Sequence, residues 1–150
     1  MKKFICTLLT LLILLSFAGC KLPSYEDTNG EADFSLQTIT EQDILRAAGS
    51  TKIMASKVSI NGNTVCKAQT MSGVETLFSE RLKNETLDLT VSCEITKGNA
   101  RLVLILDDKI IHDFAINEEN QHITLDNVTG KVCLRLAGEA AGYVISWNMQ

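Results

Sequence analysis

Proline is almost missing from this 150-residue chain, which has one, and aromatic rings are scarce: one tryptophan, two tyrosines and five phenylalanines. So few rings leave little with which to stack sugars. Basic residues are not in excess either, 14 Lys and Arg against 18 Asp and Glu, so there is no electrostatic footprint for nucleic acid or for anionic headgroups. No Cys-x-x-Cys occurs, which excludes the usual redox pair and zinc knuckle. No Gly-x-Ser-x-Gly occurs, and neither of the two histidines has a serine or cysteine beside it to suggest a nucleophile and its base. Internal repeats and low-complexity tracts are absent as well.

What is present begins with an address. Lys2 and Lys3 precede an apolar stretch from Phe4 to Phe17, interrupted only by Cys6, Thr7, Thr10 and Ser16. That is well short of the ~20 residues a membrane-spanning helix needs. A basic start, a short apolar core and a small-residue exit describe a secretory signal. The exit, Phe17-Ala18-Gly19-Cys20, resembles the lipobox of bacterial lipoproteins, with Phe17 where that family usually carries leucine. The resemblance covers the first twenty residues. It implies removal of residues 1–19, acylation of Cys20, and a protein held on the extracytoplasmic side of a cell membrane. Two or three acyl chains make a stable anchor where one is marginal.

Without Lys2 and Lys3 the chain keeps 12 basic and 18 acidic residues, a net charge of −6. Residues 20–38 are polar, contain the only proline and lack a sustained period, which predicts the lipidated cysteine followed by a flexible tether. Residues 39–150 are one domain's worth of chain. Within them Thr40, the acids Glu41 and Asp43, the apolar Ile44, Leu45 and Ala48, and then Gly49 predict one short helix. From about residue 53 the period changes to two. Leu87, Leu89, Val91, Cys93 and Ile95 alternate with Asp88, Thr90, Ser92, Glu94 and Thr96, a strand with one face in a core and one in water. Residues 102–106 are apolar throughout, which predicts a strand covered on both sides or an interface. Further strands are expected at 110–116, 122–125, 132–136 and 143–149. Turn signals fall at Asn61-Gly62, Gly98-Asn99, Asp107-Asp108, 118–120, Gly130 and 138–142. Short strands so punctuated predict a mainly all-β domain, an antiparallel β-sandwich or jelly roll with one short N-terminal helix. The carboxyl half is similar, without any shared motif, to β-sandwich domains of small exported Gram-positive proteins.

Three cysteines remain after Cys6 and Cys20 are set aside. Cys66, Cys93 and Cys133 lie in alternating apolar stretches and are read as buried free thiols, although export would permit one disulfide. A four-residue loop at 117–120 would pair Phe114 with Ile123 and His112 with Leu125, with His122 pointing the other way. A register slipped by one separates the two histidines by over ~13 Å. Neither arrangement puts both on one ion at ~2 Å. Successive hairpins would bring Asp107, Asp108 and Asp126 to one end, and Glu118, Glu119 and Glu139 to the other. The first trio is the best calcium candidate, but no EF-hand-like spacing is present, turn chemistry is the favoured account of these residues, and no metal or other cofactor is expected. Trp147 is read as core, and Tyr143 and Tyr25 as the only plausible exposed rings. These signals favour a non-enzymatic binding or structural module for a glycan, peptidoglycan or envelope protein. An accessory subunit packing on a partner through residues 102–106 comes second, and a small envelope hydrolase third.

Overall fold

The structure, a computed structural model, describes residues 35–150. The signal at 1–19, Cys20 and most of the expected tether lie outside the described residues. The described chain forms α1 (Glu41–Arg46), β1 (Gly49–Ile53), β2 (Ser56–Ile60), β3 (Asn63–Leu106), β4 (Lys109–Phe114) and β5 (Glu118–Met149). It is mainly antiparallel β with one short helix, as the alternation predicts.

Helix α1 is held by a reciprocal cap. Thr40 Oγ1 accepts from Asp43 N at 3.3 Å, and Asp43 Oδ2 accepts from Thr40 N at 2.9 Å. The helix ends with Ala47 in the left-handed region (φ 52), two residues before the expected glycine. Its short apolar stripe is what the sheet needs, because Ile44 is fully buried beneath it.

The two very long strands are explained by their registers. Residues 63–93 run antiparallel to 118–148, from Asn63↔Asn148 to Cys93↔Glu118. Residues 89–106 then pair with the opposite side of β5, from Leu89↔Met149 to Leu106↔Val132. The outcome is a five-stranded sheet folded in half, with the strands passing from one leaf to the other. The first leaf contains β2, 63–68, 143–148, 90–95 and 118–124, and the second contains β1, 70–83, 129–141, 99–106 and β4. At the fold Gly98 has φ 69, and a Cβ there would lie 2.5 Å from Glu139 O, so only glycine lets the two strands bend together. Gly98, Gly130 and 138–142 thus bend strands that the punctuation suggested would end.

Between the leaves lies the main core, with Cys66, Leu89, Val91, Cys93, Ile145 and Trp147 from the first leaf against Leu102, Leu104, Leu134 and Leu136 from the second. A second, smaller cluster lies on the outer face of the second leaf. There Ile44, Leu36 and Ile39 cover Val74, Val103, Ile105, Cys133 and Ala137. The uniformly apolar run 102–106 is therefore two-sided, and both sides are satisfied within the chain. It offers no exposed surface to a partner.

The expected hairpin between 110–116 and 121–125 does not form. β4 pairs with 102–106 in the second leaf, and 118–125 pairs with 87–93 in the first. Ile116 and Asn117 carry the chain across, with Asn117 at φ 61 and its Oδ1 accepting from Ile95 N at 2.7 Å. Phe114 consequently lies opposite Leu102 instead of Ile123, and His112 lies opposite Leu104 instead of Leu125.

Candidate functional site

The two outer faces of the folded sheet have different chemistry. On the second leaf, alternation places Val103, Ile105, Cys133 and Ala137 outward, and the α1 segment seals them. Arg135 shares that face. Its Nη1 donates to the carbonyls of Ile44 at 2.7 Å and Leu45 at 2.6 Å, and its Nε donates to Thr76 Oγ1 at 3.3 Å. A buried guanidinium here satisfies the open carbonyls at the helix C-terminus and complements its dipole. The chain entering this lid is tied as well. Glu139 accepts from the backbone N–H groups of Gln37 at 2.8 Å, Thr38 at 2.5 Å and Ile39 at 3.0 Å, and from Thr38 Oγ1 at 2.7 Å. These donors, led by the Gln37 and Thr38 amides, hold the carboxyl down at about 2.

The outer face of the first leaf has no such cover among the described residues. Registers align Glu94 with Val144 and Lys67, Ser92 with Ser146 and Val65, and Thr90 with Asn148 and Asn63. The outward phase of these strands is thus mostly hydroxyl, amide and carboxylate. At one end of this face the ladder stops at Cys93↔Glu118, so that the strand beyond Cys93 loses its neighbour on that side. The gap is a groove of about 590 Å³ lined by Ser92, Glu94, Ile95, Asn117, Glu119 and Ser146, with Val144 and Cys93 beside them. Its rim is fixed by two hydrogen bonds, Ile95 N to Asn117 Oδ1 at 2.7 Å and Asn120 N to Ser92 Oγ at 2.9 Å. Glu94 and Glu119 form no ion pair among the described residues and leave the groove acidic.

His122 stands further along the same face. Its Nδ1 is 3.1 Å from Thr90 Oγ1 and 3.5 Å from Asp88 Oδ1, while Nε2 is 3.0 Å from Thr124 Oγ1. Carboxylate, imidazole and hydroxyl follow one another as in a nucleophile set. However, the imidazole contacts Thr90 more closely than Asp88, and both the His122 and Asp88 side chains are at least two-fifths exposed on a sheet face. None of these residues lines the groove, so the groove does not supply an enclosed position for an acyl oxygen beside them. His112 sits in the other leaf, edge-on to Phe114 at 4.7 Å.

The other residues singled out by sequence are placed as follows. Asp107 (φ 53) and Asp108 form the β3–β4 turn, where Asp107 N donates to Lys131 O at 2.7 Å and Asp107 Oδ1 accepts from Lys131 N at 2.8 Å. Asp126 Oδ1 accepts from Thr86 Oγ1 at 3.2 Å. Among the described residues no three His, Cys, Asp or Glu groups are gathered closely enough to hold one metal ion. Tyr143 is not an exposed ring: it is buried in the main core, and its hydroxyl donates to Glu75 Oε2 at 2.9 Å. Trp147 is core as expected, under Lys57, whose Nζ lies 5.1 Å from the ring centroid.

All three described cysteines are free and buried. Cys66 and Cys93 both flank Ile145, two ladder steps apart, about 9.6 Å, which is beyond disulfide reach. Cys133 faces the opposite side of the second leaf, with its Sγ 3.4 Å from Ser79 Oγ. Burial pushes the Cys93 thiol up to about 12 and also raises Cys66.

No protein-family model matches this chain, and no curated protein is significantly similar to it. Among the described residues no helix is long and apolar enough to cross a membrane.

Proposed function

We propose that this chain is a membrane-anchored extracytoplasmic lipoprotein, acylated at Cys20, whose sandwich is a non-enzymatic binding module of the cell envelope. The observation that carries the binding reading is the asymmetry between the two outer faces. One is apolar and sealed by the chain's own helix, and the other is uncovered, carries polar groups along its inner strands and opens into the groove at Ser92, Glu94, Asn117, Glu119 and Ser146. Concave sites with a few convergent polar groups are where small ligands bind. Hydroxyl, amide and carboxylate groups together suit a polyhydroxylated or amino-bearing ligand, such as a glycan or the peptide of peptidoglycan.

Two experiments test this. Cys20→Ala should move the protein out of the membrane fraction, and its continued presence in the membrane pellet counts against the anchor. Purified sacculi should sediment the detergent-solubilised full chain, and Ser146→Arg, which fills the groove floor, should abolish that binding without lowering Tm. Binding that survives Ser146→Arg removes the groove from the proposal.

A second reading, an accessory subunit on a protein partner, is favoured by a different surface from the one the sequence suggested. Ile53, Met54, Val58 and Ile60 are each at least 54% exposed.

A further inference from the structure

Of the apolar surface just named, Ile53 ends β1 and Met54 follows it, while Val58 and Ile60 belong to β2, a free edge of the first leaf. Within the described residues β2 pairs only with β3, and its five residues are all exposed. The other edge of the first leaf begins with Glu118 and Glu119, and the β4 edge of the second carries Asp113. By contrast residues 47–74 contain Lys52, Lys57 and Lys67 and no acid. Outward lysines are a common means of blunting an edge strand. Here two of the three point elsewhere. Lys52 is drawn to Glu75, and Lys57 turns over Trp147 and donates to Leu77 O at 2.7 Å. Val58 and Ile60 are left projecting from the outer face of β2.

The hairpin fixes which backbone groups are free. Asn61 (φ 51) and Gly62 (φ 81) form a two-residue turn, so Ile60 and Asn63 flank it as a hydrogen-bonded pair. Antiparallel alternation then turns the N–H and C=O of Lys57 and Ser59 away from β3 and into solvent. The close approach of Ser59 Oγ to Thr64 Oγ1, 2.9 Å, fits a pair of the non-hydrogen-bonded kind.

We propose that β2 is a self-pairing edge, taken up by the β2 of a second copy of this chain in an antiparallel, two-fold symmetric register centred on Val58. In that register Lys57 exchanges backbone hydrogen bonds with Ser59 of the second copy, and Ser59 with its Lys57. Val58 meets Val58, Ser56 meets Ile60, and no like charges stand opposite one another. Charge favours the acid-free margin that holds β1 and β2: residues 39–150 carry 11 basic and 14 acidic residues, net −3, and copies repel least where acids are missing. Within that margin β2 is the strand with Val58 and Ile60 turned outward. The symmetric contact closes at two copies and extends the first leaf across both. A strand pair of five residues falls below the roughly 1,200 Å² of a standard interface, so the dimer is weak and dissociates on dilution.

Among the described residues both hydrophobic clusters are drawn from residues 36–149, so the piece from residue 32 onward carries the whole of the described core. Sedimentation equilibrium of this piece from micromolar to millimolar concentration should show the mass rising from one copy to two. Ser59→Pro removes an outward N–H that the intramolecular ladder does not use, and Val58→Lys restores an outward cation. Each should hold the protein at one copy without lowering Tm, and Val58→Lys, at an exposed site, keeps the test open if the proline variant misfolds. A single copy at millimolar concentration overturns the proposal, as does a mass rise that Val58→Lys leaves unchanged or one that continues past two copies. A protein that stays single but sediments with phosphatidylglycerol vesicles assigns the edge to a lipid surface, and the proposal fails.

Discussion

The outer faces of the two leaves are made by the same five strand positions and carry opposite chemistry. On the second leaf the outward phase reads Val74, Val103, Ile105, Cys133 and Ala137, and the chain supplies a six-residue helix and the segment before it as a lid. On the first leaf the outward phase reads Thr90, Ser92, Glu94, Ser146 and Asn148 around Val144, gives way to Val65, Val58 and Ile60 towards β2, and no described residue packs over it as the helix does over the other leaf. The difference shows that the pleat is a shared template and that only the alternate residues decide whether a face needs cover. It also explains why a helix of six residues persists at all. So short a helix is unstable alone, and here its order comes from Ile44 and the Arg135 bonds.

Removing the lid's anchor is the most damaging way to break this comparison. Ile44→Ala should cost about 3 kcal/mol, since Ile44 is fully buried against the second leaf. Denaturant unfolding measures the cost. Thiol labelling under native conditions adds a regional readout. Cys133, directly under the lid, should label first in Ile44→Ala, while Cys66 and Cys93 stay protected until global unfolding. Equal labelling of all three would show that the lid and the sandwich are a single cooperative unit.

Arg135→Leu should cost less, about 2 kcal/mol, because it removes charged hydrogen bonds and strands the carbonyls of Ile44 and Leu45 while keeping apolar bulk. Comparing the midpoints of Arg135→Leu and wild type in urea checks this, and an unchanged midpoint would mean water satisfies those carbonyls.

The smallest effect concerns the entry clamp and depends on pH. The Glu139 carboxyl sits at about 2 in the folded protein, below the ~4.3 of an unconstrained glutamate. Its contribution is fully present above the unfolded value and is lost as pH falls from about 4 towards 2. Tm of the wild type should therefore fall more steeply across that window than Tm of Glu139→Gln. Parallel curves would show that the clamp on Gln37, Thr38 and Ile39 does not contribute to stability.

Much of this architecture is legible in local pattern. The alternation in 87–96, the Asn61-Gly62 hairpin, the Asp107-Asp108 turn and the capped helix all follow from residues within a few positions of one another. The misreadings share one cause. A glycine permits either a reversal or a bend, and at Gly98 the choice depends on a partner strand some forty residues away that bends with it. The crossing at Ile116-Asn117 was hidden for the same reason, since 110–116 and 121–125 look suited to pair but each has a better partner elsewhere. Tyr143 shows the reverse. Its phase, shared with Ile145 and Trp147, already pointed inward, and only its glycine neighbour suggested exposure. The groove was half legible, because the polar phase of its strands was plain. That the ladder ends at Glu118, which opens the groove, was not.

The register also governs when this protein can fold. Asn63 finds its partner at Asn148, and the first leaf is closed by 143–148, the last strand of the chain. Few ladders join near neighbours, so contact order is high and folding is expected to be slow, on the order of milliseconds to seconds. A growing or threading chain that lacks its final ten residues has no second neighbour for 63–68 and no inner partner for Cys93 or Ile95. The first leaf therefore cannot close until residues 143–148 are in place, whereas the pairing of 99–106 with 132–139 does not depend on them.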